Sequence, residues 1–269
     1  MSIITISQDM YSRGEEIAEK VAQSLGYECI GPENIGDLCK SHGFPLNKIE
    51  RALRDSPGIF DHLSPKKEQY LAMFRALFFE TMRHDNVVYH GLAGHIFLAD
   101  IPNVIKVRVT EDLEERARRG MLRNGLSFKE TKKIIIKKEK ERSRWTKQMF
   151  DKDDKNPQLY DLYLNLKNIS LDMAVAIIVD MAKLSLNGNA LIMRKRLKDM
   201  ALAAKIEASL LESFPEVQAI ADDGDVFIRV QGSILQEELI VKKANKIMAN
   251  IEGIRSVRIG VAPSIFVPF

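Results

Sequence analysis

The chain has 269 residues, 45% of them hydrophobic and 29% charged, so intrinsic disorder is excluded as its main state. Its two cysteines are too few for a disulfide scaffold and fit a reducing compartment. The net charge of +3 is too small to demand nucleic acid, and no nucleic-acid partner is predicted.

The N-terminal residues MSIITISQDM lack the pattern of a secretory signal, and no run approaches the ~18 apolar residues of a membrane span. The expected location is therefore the cytoplasm, with no transmembrane segment. The sequence does not define an oligomeric state.

The first part of the chain alternates strand and helix patterns. Strand patterns lie at residues 2–7, 86–89, 103–109 and 160–166. Helix patterns lie at residues 15–25, 33–55, 66–83, 111–124, 127–148 and 171–184, the last with Ser170 as its N-cap. This alternation favours an α/β fold, with a parallel sheet covered by helices on both faces.

The pattern changes after about residue 185. Residues 186–200 are predicted to be a linker or helix, because SLNGNA supplies Asn and Gly as breakers. Residues 201–269 then predict a small α+β domain of order α-β-β-α-β. Its hairpin has a turn at Asp222, Asp223 and Gly224.

Basic residues are concentrated between Lys106 and Lys155. Clustered Lys and Arg side chains can bind phosphate. The alternative is a solvated helix face in which Glu residues balance the charge, and charge alone favours this alternative.

The loop after the first strand is the first place to look for a ligand, because open α/β sheets bind ligands at the carboxyl ends of their strands. A helix N-terminus there attracts phosphate. The segment QDMYSRGEEIA has one glycine, Gly14, and lacks the Lys-Ser/Thr pair of a P-loop. From its residues alone it is a βα turn. Asp9 within it could bind Mg²⁺ or cap the helix, and the cap is favoured.

Several segments occur in an order typical of one family. They are ITIS followed by SRGEEIA, then HGLAGHIFLADIPNVIKVRV, EERARRGMLRNGLSFKET, EKERSRW and YDLYLNL. Over about residues 1–185 the chain resembles the cytidylate kinase-like family. The resemblance implies a P-loop nucleoside monophosphate kinase fold, ATP-dependent phosphoryl transfer to CMP or dCMP, and ATP with Mg²⁺ as cofactors.

The same resemblance implies the site residues. The catalytic candidates that it implies are Arg116, Arg119 and Arg142. The candidates for nucleotide or phosphate binding are Ser12, Arg13, Gly14, Arg123 and Asn165. Arginines suit these roles because their planar guanidinium binds phosphate oxygens in pairs. No metal-binding residue is predicted; His90 and His95 flank a glycine turn without further ligands at suitable spacing.

Four residues depart from the family pattern. Tyr11 and Arg13 replace loop glycines, Glu15 replaces an arginine, and Leu92 replaces the arginine of a Gly-Arg turn. A side chain in the loop limits how closely its N–H groups approach phosphate, although Arg13 could compensate by pointing into the loop. Three functions therefore stay open: a kinase, a catalytically impaired nucleotide-binding regulatory protein, or a structural adaptor.

The C-terminal pattern resembles a BON domain. The segments DDGDVFIRVQGSI and IEGIRSVRIGV flank a helix, and Gly224, Gly232 and Gly253 fall where that family has glycines. The resemblance implies a module that binds lipid or a small ligand.

Overall fold

The computed structural model describes residues 3–32, 65–84, 86–185 and 190–263, together with single positions between 34 and 49. The described residues form two compact units. The first contains residues 3–32, 84, 86–185 and 190–193, and the second contains residues 65–83 and 194–263. Most of the predicted helix 33–55, and residues 186–189 of the predicted linker, lie outside the described residues.

The first unit is built on a five-stranded parallel sheet with the order β2-β3-β1-β4-β5. The strands are β1 (Ile3–Gln8), β2 (Glu28–Ile30), β3 (Val87–His90), β4 (Val104–Thr110) and β5 (Leu162–Asn165). The predicted parallel sheet is confirmed. The three-residue strand β2 is too short for a periodic signal and was not predicted.

The described helices have the following bounds: α1 (Gly14–Leu25), α2 (Pro65–Met82), α3 (Gly94–Phe97), α4 (Leu113–Asn124), α5 (Phe128–Phe150), α6 (Leu171–Ser185), α7 (Ala190–Leu210) and α8 (Glu237–Met248). Within the predicted linker, the described residues from Ala190 onward are the first part of α7. None of the described helices is long and apolar enough to cross a membrane.

Polar side chains cap the N-termini of several helices. The Ser170 hydroxyl accepts the Met173 N–H at 3.2 Å, which confirms the predicted N-cap of α6. Ser127 and Glu130 form a capping box at the start of α5. The core of the first unit packs α1 and α6 on the sheet, through residues such as Ile6, Ile17 and Ile178.

The second unit contains a three-stranded sheet of order β6-β7-β8. Its strands are β6 (Gln218–Asp222), β7 (Asp225–Gln231) and β8 (Ser256–Ala262). Because Asp222 pairs with Asp225, the hairpin turn has two residues, Asp223 and Gly224, with φ of 50° and 86°. Strand β8 pairs with β7 in parallel, as a helix crossover requires.

Candidate functional site

The loop of residues 9–13 joins the end of β1 to the start of α1. Because β1, β3 and β4 are parallel, the segments that follow them meet at one edge of the sheet. The loop is a tight turn in which the Ser12 N–H donates to the Asp9 carbonyl at 3.1 Å. A Cβ at Gly14 would lie 2.3 Å from Oε1 of Gln8, so the start of α1 requires glycine.

A cavity of about 370 Å³ opens beside this loop. It is lined by Gln8, Asp9, Met10, Tyr11, Ser12, Glu15, Gly91, Leu92, Arg123, Lys138, Glu139 and Arg142. The lining residues come from the loop and α1, the turn after β3, the end of α4 and one face of α5. The site is thus a cleft at the carboxyl edge of the sheet, where this fold class binds ligands.

Three predicted arginines hold the loop by its backbone. Arg142 donates from Nη1 to the Gln8 carbonyl at 2.6 Å. Arg116 donates in the same way to the Met10 carbonyl at 3.2 Å, and Arg119 to the Tyr11 carbonyl at 2.5 Å. In each of these arginines, one guanidinium N–H group is therefore hydrogen-bonded to the loop backbone.

Each arginine around the loop also pairs with a carboxylate. The pairs are Arg13–Glu16, Arg108–Asp9, Arg116–Glu139, Arg119–Glu111, Arg123–Glu15 and Arg142–Asp154. The Arg119–Glu111 pair is bidentate, with two N–O distances of 2.8 Å. The Arg123–Glu15 pair is the loosest, at 3.5 Å, and its side chains are 66% and 42% exposed. The positive charge of the site is largely neutralised from within.

Asp9 has a different role from the one predicted. Its carboxylate pairs with Arg108 of β4, which is only 1% exposed, and accepts the Glu111 N–H at 3.4 Å. Helix α1 begins after Arg13 without a side-chain cap. The predicted helix cap at Asp9 is therefore wrong, because Arg108 attracts the carboxylate to the sheet.

Tyr11 adopts a left-handed backbone conformation, with φ of 59°. Its ring packs on Gly120 of α4, and its hydroxyl accepts a hydrogen bond from Asn124 Nδ2 at 2.6 Å. These contacts offset the strain that a non-glycine residue meets in this conformation.

A buried pair of rings lies in the same unit. His95 stacks on Tyr160 with ring centroids 4.7 Å apart, and the Tyr160 hydroxyl donates to the Asp154 carbonyl at 2.6 Å. Burial, together with the nearby positive charges of Arg108 and Arg142, lowers the pKa of His95 to about 3. His95 is thus neutral at pH 7. Within the described residues, no group of three or more His, Cys, Asp or Glu side chains is placed to hold a metal ion.

The structure brings only some of the predicted site residues to the cavity. Ser12, Arg123 and Arg142 line it. Arg116 and Arg119 contact the loop through its carbonyls and are absent from the lining. Gly14 lies beneath the loop, where it packs on Gln8.

Two further candidates point elsewhere. The Arg13 guanidinium binds Glu16 through Nε at 2.9 Å, so the suggestion that it points into the loop is wrong. Asn165 is exposed at the end of β5, where its Oδ1 accepts the Lys167 N–H at 3.0 Å.

Sequence reasoning missed two cavity residues on α5, Lys138 and Glu139. The signal was present, because residues three and four positions before Arg142 share its helix face. The sequence did not indicate that Arg108 is buried. Arg108 alternates with apolar residues of β4, and this alternation is also typical of a residue on the exposed face of a strand.

Residues 3–168 match the model of the cytidylate kinase-like family. Among solved structures, an uncharacterized protein from Eubacterium ventriosum ATCC 27560 is similar at a TM-score of 0.51 and 19% identity, covering 68% of this chain and 99% of that chain. This likeness supports the fold.

Two kinases are more distant. Shikimate kinase from Bacteroides thetaiotaomicron has a TM-score of 0.44 and 12% identity, covering 68% of this chain and 98% of its own. A gluconokinase from Sinorhizobium meliloti 1021 has a TM-score of 0.41 and 16% identity, covering 69% and 94%. No curated protein matches the chain. Since the family model spans more than half of the residues, the chain belongs to the cytidylate kinase-like family.

Proposed function

We propose that the protein binds a nucleoside monophosphate in the cavity beside residues 9–13 and acts as a nucleotide-binding regulatory protein, without rapid phosphoryl transfer. The observation that carries the proposal is the pairing of every arginine around the loop with a carboxylate. Phosphoryl transfer relies on cations that are free to neutralise the moving group. Here those cations are already engaged.

The residues around the loop do not fit ATP with Mg²⁺. A P-loop places Lys and then Ser or Thr after its last glycine, for the outer phosphates and the metal. This chain has Glu15 and Glu16 after Gly14. Glu15 lines the cavity and would repel phosphate, while Glu16 is held by Arg13. The positions that would hold the outer phosphates and the metal therefore carry negative charge instead of a cation and a hydroxyl.

A monophosphate meets a smaller obstacle. Arg123 lines the cavity and is held only by its exposed contact with Glu15. Exposed ion pairs contribute only about 0–1 kcal/mol, so a phosphate dianion can replace Glu15 as the partner of Arg123 at small cost. Lys138 also lines the cavity and adds a second cation, which is paired with Glu141 in a partly exposed contact of 3.0 Å. The family resemblance favours CMP or dCMP as the nucleotide.

The test combines binding with turnover. Thermal-shift titration of the full chain with CMP, dCMP, the other monophosphates and ATP measures binding; a ligand at 100 times its Kd stabilises by about 2.7 kcal/mol. A coupled assay with ATP, Mg²⁺ and each monophosphate measures transfer. We expect stabilisation by a monophosphate with turnover well below about 1 s⁻¹, the lower end for kinases. Faster turnover identifies an active kinase, and no shift with any nucleotide favours a structural adaptor.

A matched pair of variants tests the site itself. Arg123→Gln removes the loosely held cation of the cavity, and Arg118→Gln removes an exposed arginine of the same helix that pairs with Glu115 outside the cavity lining. We expect the first variant to weaken monophosphate binding at least tenfold and the second to leave it unchanged. Equal effects of the two would place the ligand elsewhere.

We also infer that residues 201–269 form a BON-like module that binds lipid or a small ligand. The α-β-β-α-β order supports this inference, as do three exposed aliphatic residues close together in sequence, Ile234, Leu235 and Leu239, with exposures of 59%, 97% and 69%. Cosedimentation with phosphatidylcholine vesicles tests it. Leu235→Ser/Leu239→Ser should lose vesicle binding, whereas Leu184→Ser, an 80% exposed leucine of α6, should keep it.

A further inference from the structure

Helix α5 presents different residues on its two faces. Ile135 and Trp145 on the inner face are buried, and Arg142 on that side reaches the cavity. The outer face carries a line of basic residues that we call the basic stripe. It consists of Lys129, Lys133, Lys137, Lys140, Arg144 and Lys147, all of which are exposed.

Steps of three and four residues align the basic stripe along the helix. At 3.6 residues per turn, its six side chains fall within an arc of about 80° and extend over about 27 Å. No acidic residue of α5 itself lies within that arc. The nearest carboxylates on the helix are hydrogen-bonded to groups outside the basic stripe. Glu130 accepts the Ser127 N–H at 3.0 Å, although it also interacts electrostatically with Lys133, and Glu141 pairs with Lys138 at 3.0 Å.

In the described part of the chain, five of the six cations of the basic stripe lack a carboxylate partner, unlike the arginines of the cavity. Lys147 forms a salt bridge with Asp151. The other five have no carboxylate within 4.0 Å in the part of the chain that the structure describes. Like charges at these spacings repel one another and destabilise an isolated helix. A bound polyanion would remove this repulsion.

We propose that the basic stripe binds the phosphate backbone of double-stranded nucleic acid. A duplex carries one negative charge per about 1.7 Å of axis, which makes it a strong partner for a linear array of cations. The basic stripe is as long as about eight base pairs. It contains no aromatic residue that could stack on an unpaired base, so the contact is to backbone and is independent of sequence.

The apolar residues of α5 argue against a lipid surface as the partner. A helix that lies in a membrane interface buries a wide apolar face among the lipids. On α5 the apolar face is directed into the protein. Beside the basic stripe, the large hydrophobic residue Ile136 is 51% exposed, which is too small an apolar surface for insertion into a membrane. The net charge of +3 does not indicate the basic stripe, because acidic residues elsewhere in the chain balance its positive charge.

The experiment uses the full chain without nucleotide, so its outcome does not depend on the proposed function. Fluorescence anisotropy measures binding to a labelled mixed-sequence duplex of 20 base pairs between 50 and 200 mM salt. If five phosphates are contacted, the affinity should fall about 500-fold over this range. The variant Lys133→Gln/Lys137→Gln/Lys140→Gln should weaken binding at least tenfold and reduce the salt slope by about 3.

The control variant Lys198→Gln/Lys205→Gln/Lys242→Gln removes three exposed lysines that lie outside the basic stripe. It should bind the duplex as the unmodified chain does, and circular dichroism should show both variants folded. The proposal is overturned if the duplex does not bind at 50 mM salt, or if both variants weaken binding equally. It is also overturned if the protein binds vesicles that contain phosphatidylserine but does not bind the duplex, and if the α5 variant abolishes that vesicle binding.

Discussion

The ring of Tyr11 lies so close to Gly120 that a Cβ at position 120 would be 2.5 Å from its Cδ2 atom. Tyr11 belongs to the loop after β1, and Gly120 belongs to α4. The aromatic ring takes space in a loop where the family has glycine, and the absent side chain of Gly120 provides that space. The two residues are therefore a matched pair that fixes the loop on α4.

Gly120→Ala tests this pairing. In an exposed helix, Gly to Ala stabilises by about 1 kcal/mol. Here the added methyl group collides with the ring of Tyr11 and with Thr131, and overpacking of this kind costs about 1–3 kcal/mol. We expect net destabilisation in urea denaturation. In Tyr11→Gly/Gly120→Ala the penalty should be smaller than the two single effects added together; strict additivity would contradict the matched pair.

The second prediction concerns the pair Asp9–Arg108. The side chains are 12% and 1% exposed, so Arg108 without its carboxylate becomes an uncompensated buried charge. Removing one partner of such a pair costs about 3–5 kcal/mol. Asp9→Asn should therefore lower the free energy of unfolding by that amount in urea denaturation.

Arg118→Gln is the matched control for Asp9→Asn. It breaks the Arg118–Glu115 pair, whose side chains are 56% and 54% exposed. An exposed pair contributes only about 0–1 kcal/mol. A loss from Asp9→Asn no larger than that from this control would show that solvent or another group compensates Arg108.

The fold was largely predictable from the sequence, whereas the pairing within the site was not. The β-branched strand, the loop and the helix that ends just before Gly26 are each determined by residues close together in sequence, so their patterns predict the structure directly. The partner of Arg108 is 99 residues away in sequence, and that of Arg116 is 23 residues away. The sequence gives the residue types of these pairs but not their distances. It therefore predicts an arginine-rich site and cannot reveal that the site is neutralised.

The third prediction rests on the proposed function and concerns Glu15. This carboxylate lines the cavity, repels phosphate and occupies Arg123. Glu15→Gln should raise the affinity for a monophosphate about tenfold, which corresponds to about 1.4 kcal/mol. Glu19→Gln removes an exposed carboxylate of the same helix outside the cavity lining and should have little effect. Isothermal titration calorimetry measures both, and an unchanged Kd for Glu15→Gln would exclude phosphate from this position.

The last prediction concerns the pH dependence of stability. His95 faces Tyr160, Arg108, Arg142, Asp154 and Lys106, and burial together with the neighbouring positive charges lowers its pKa to about 3. In the unfolded chain a histidine titrates near 6.5. Between these values the unfolded state binds the proton and the folded state does not, so stability falls as the pH falls, by at most about 1.4 kcal/mol per pH unit from this group.

His95→Phe removes the titrating group and keeps a ring to stack on Tyr160. Its free energy of unfolding should therefore fall less steeply than that of the unmodified chain between pH 6 and pH 4, because the unfolded state has one proton fewer to bind. Urea denaturation at pH 7, 6, 5 and 4 measures both slopes. The carboxylates contribute equally to the two proteins, so the difference in slope isolates His95. Equal slopes, or a His95 ring resonance that titrates near pH 6.5 in NMR spectra, would show that the folded protein admits the proton.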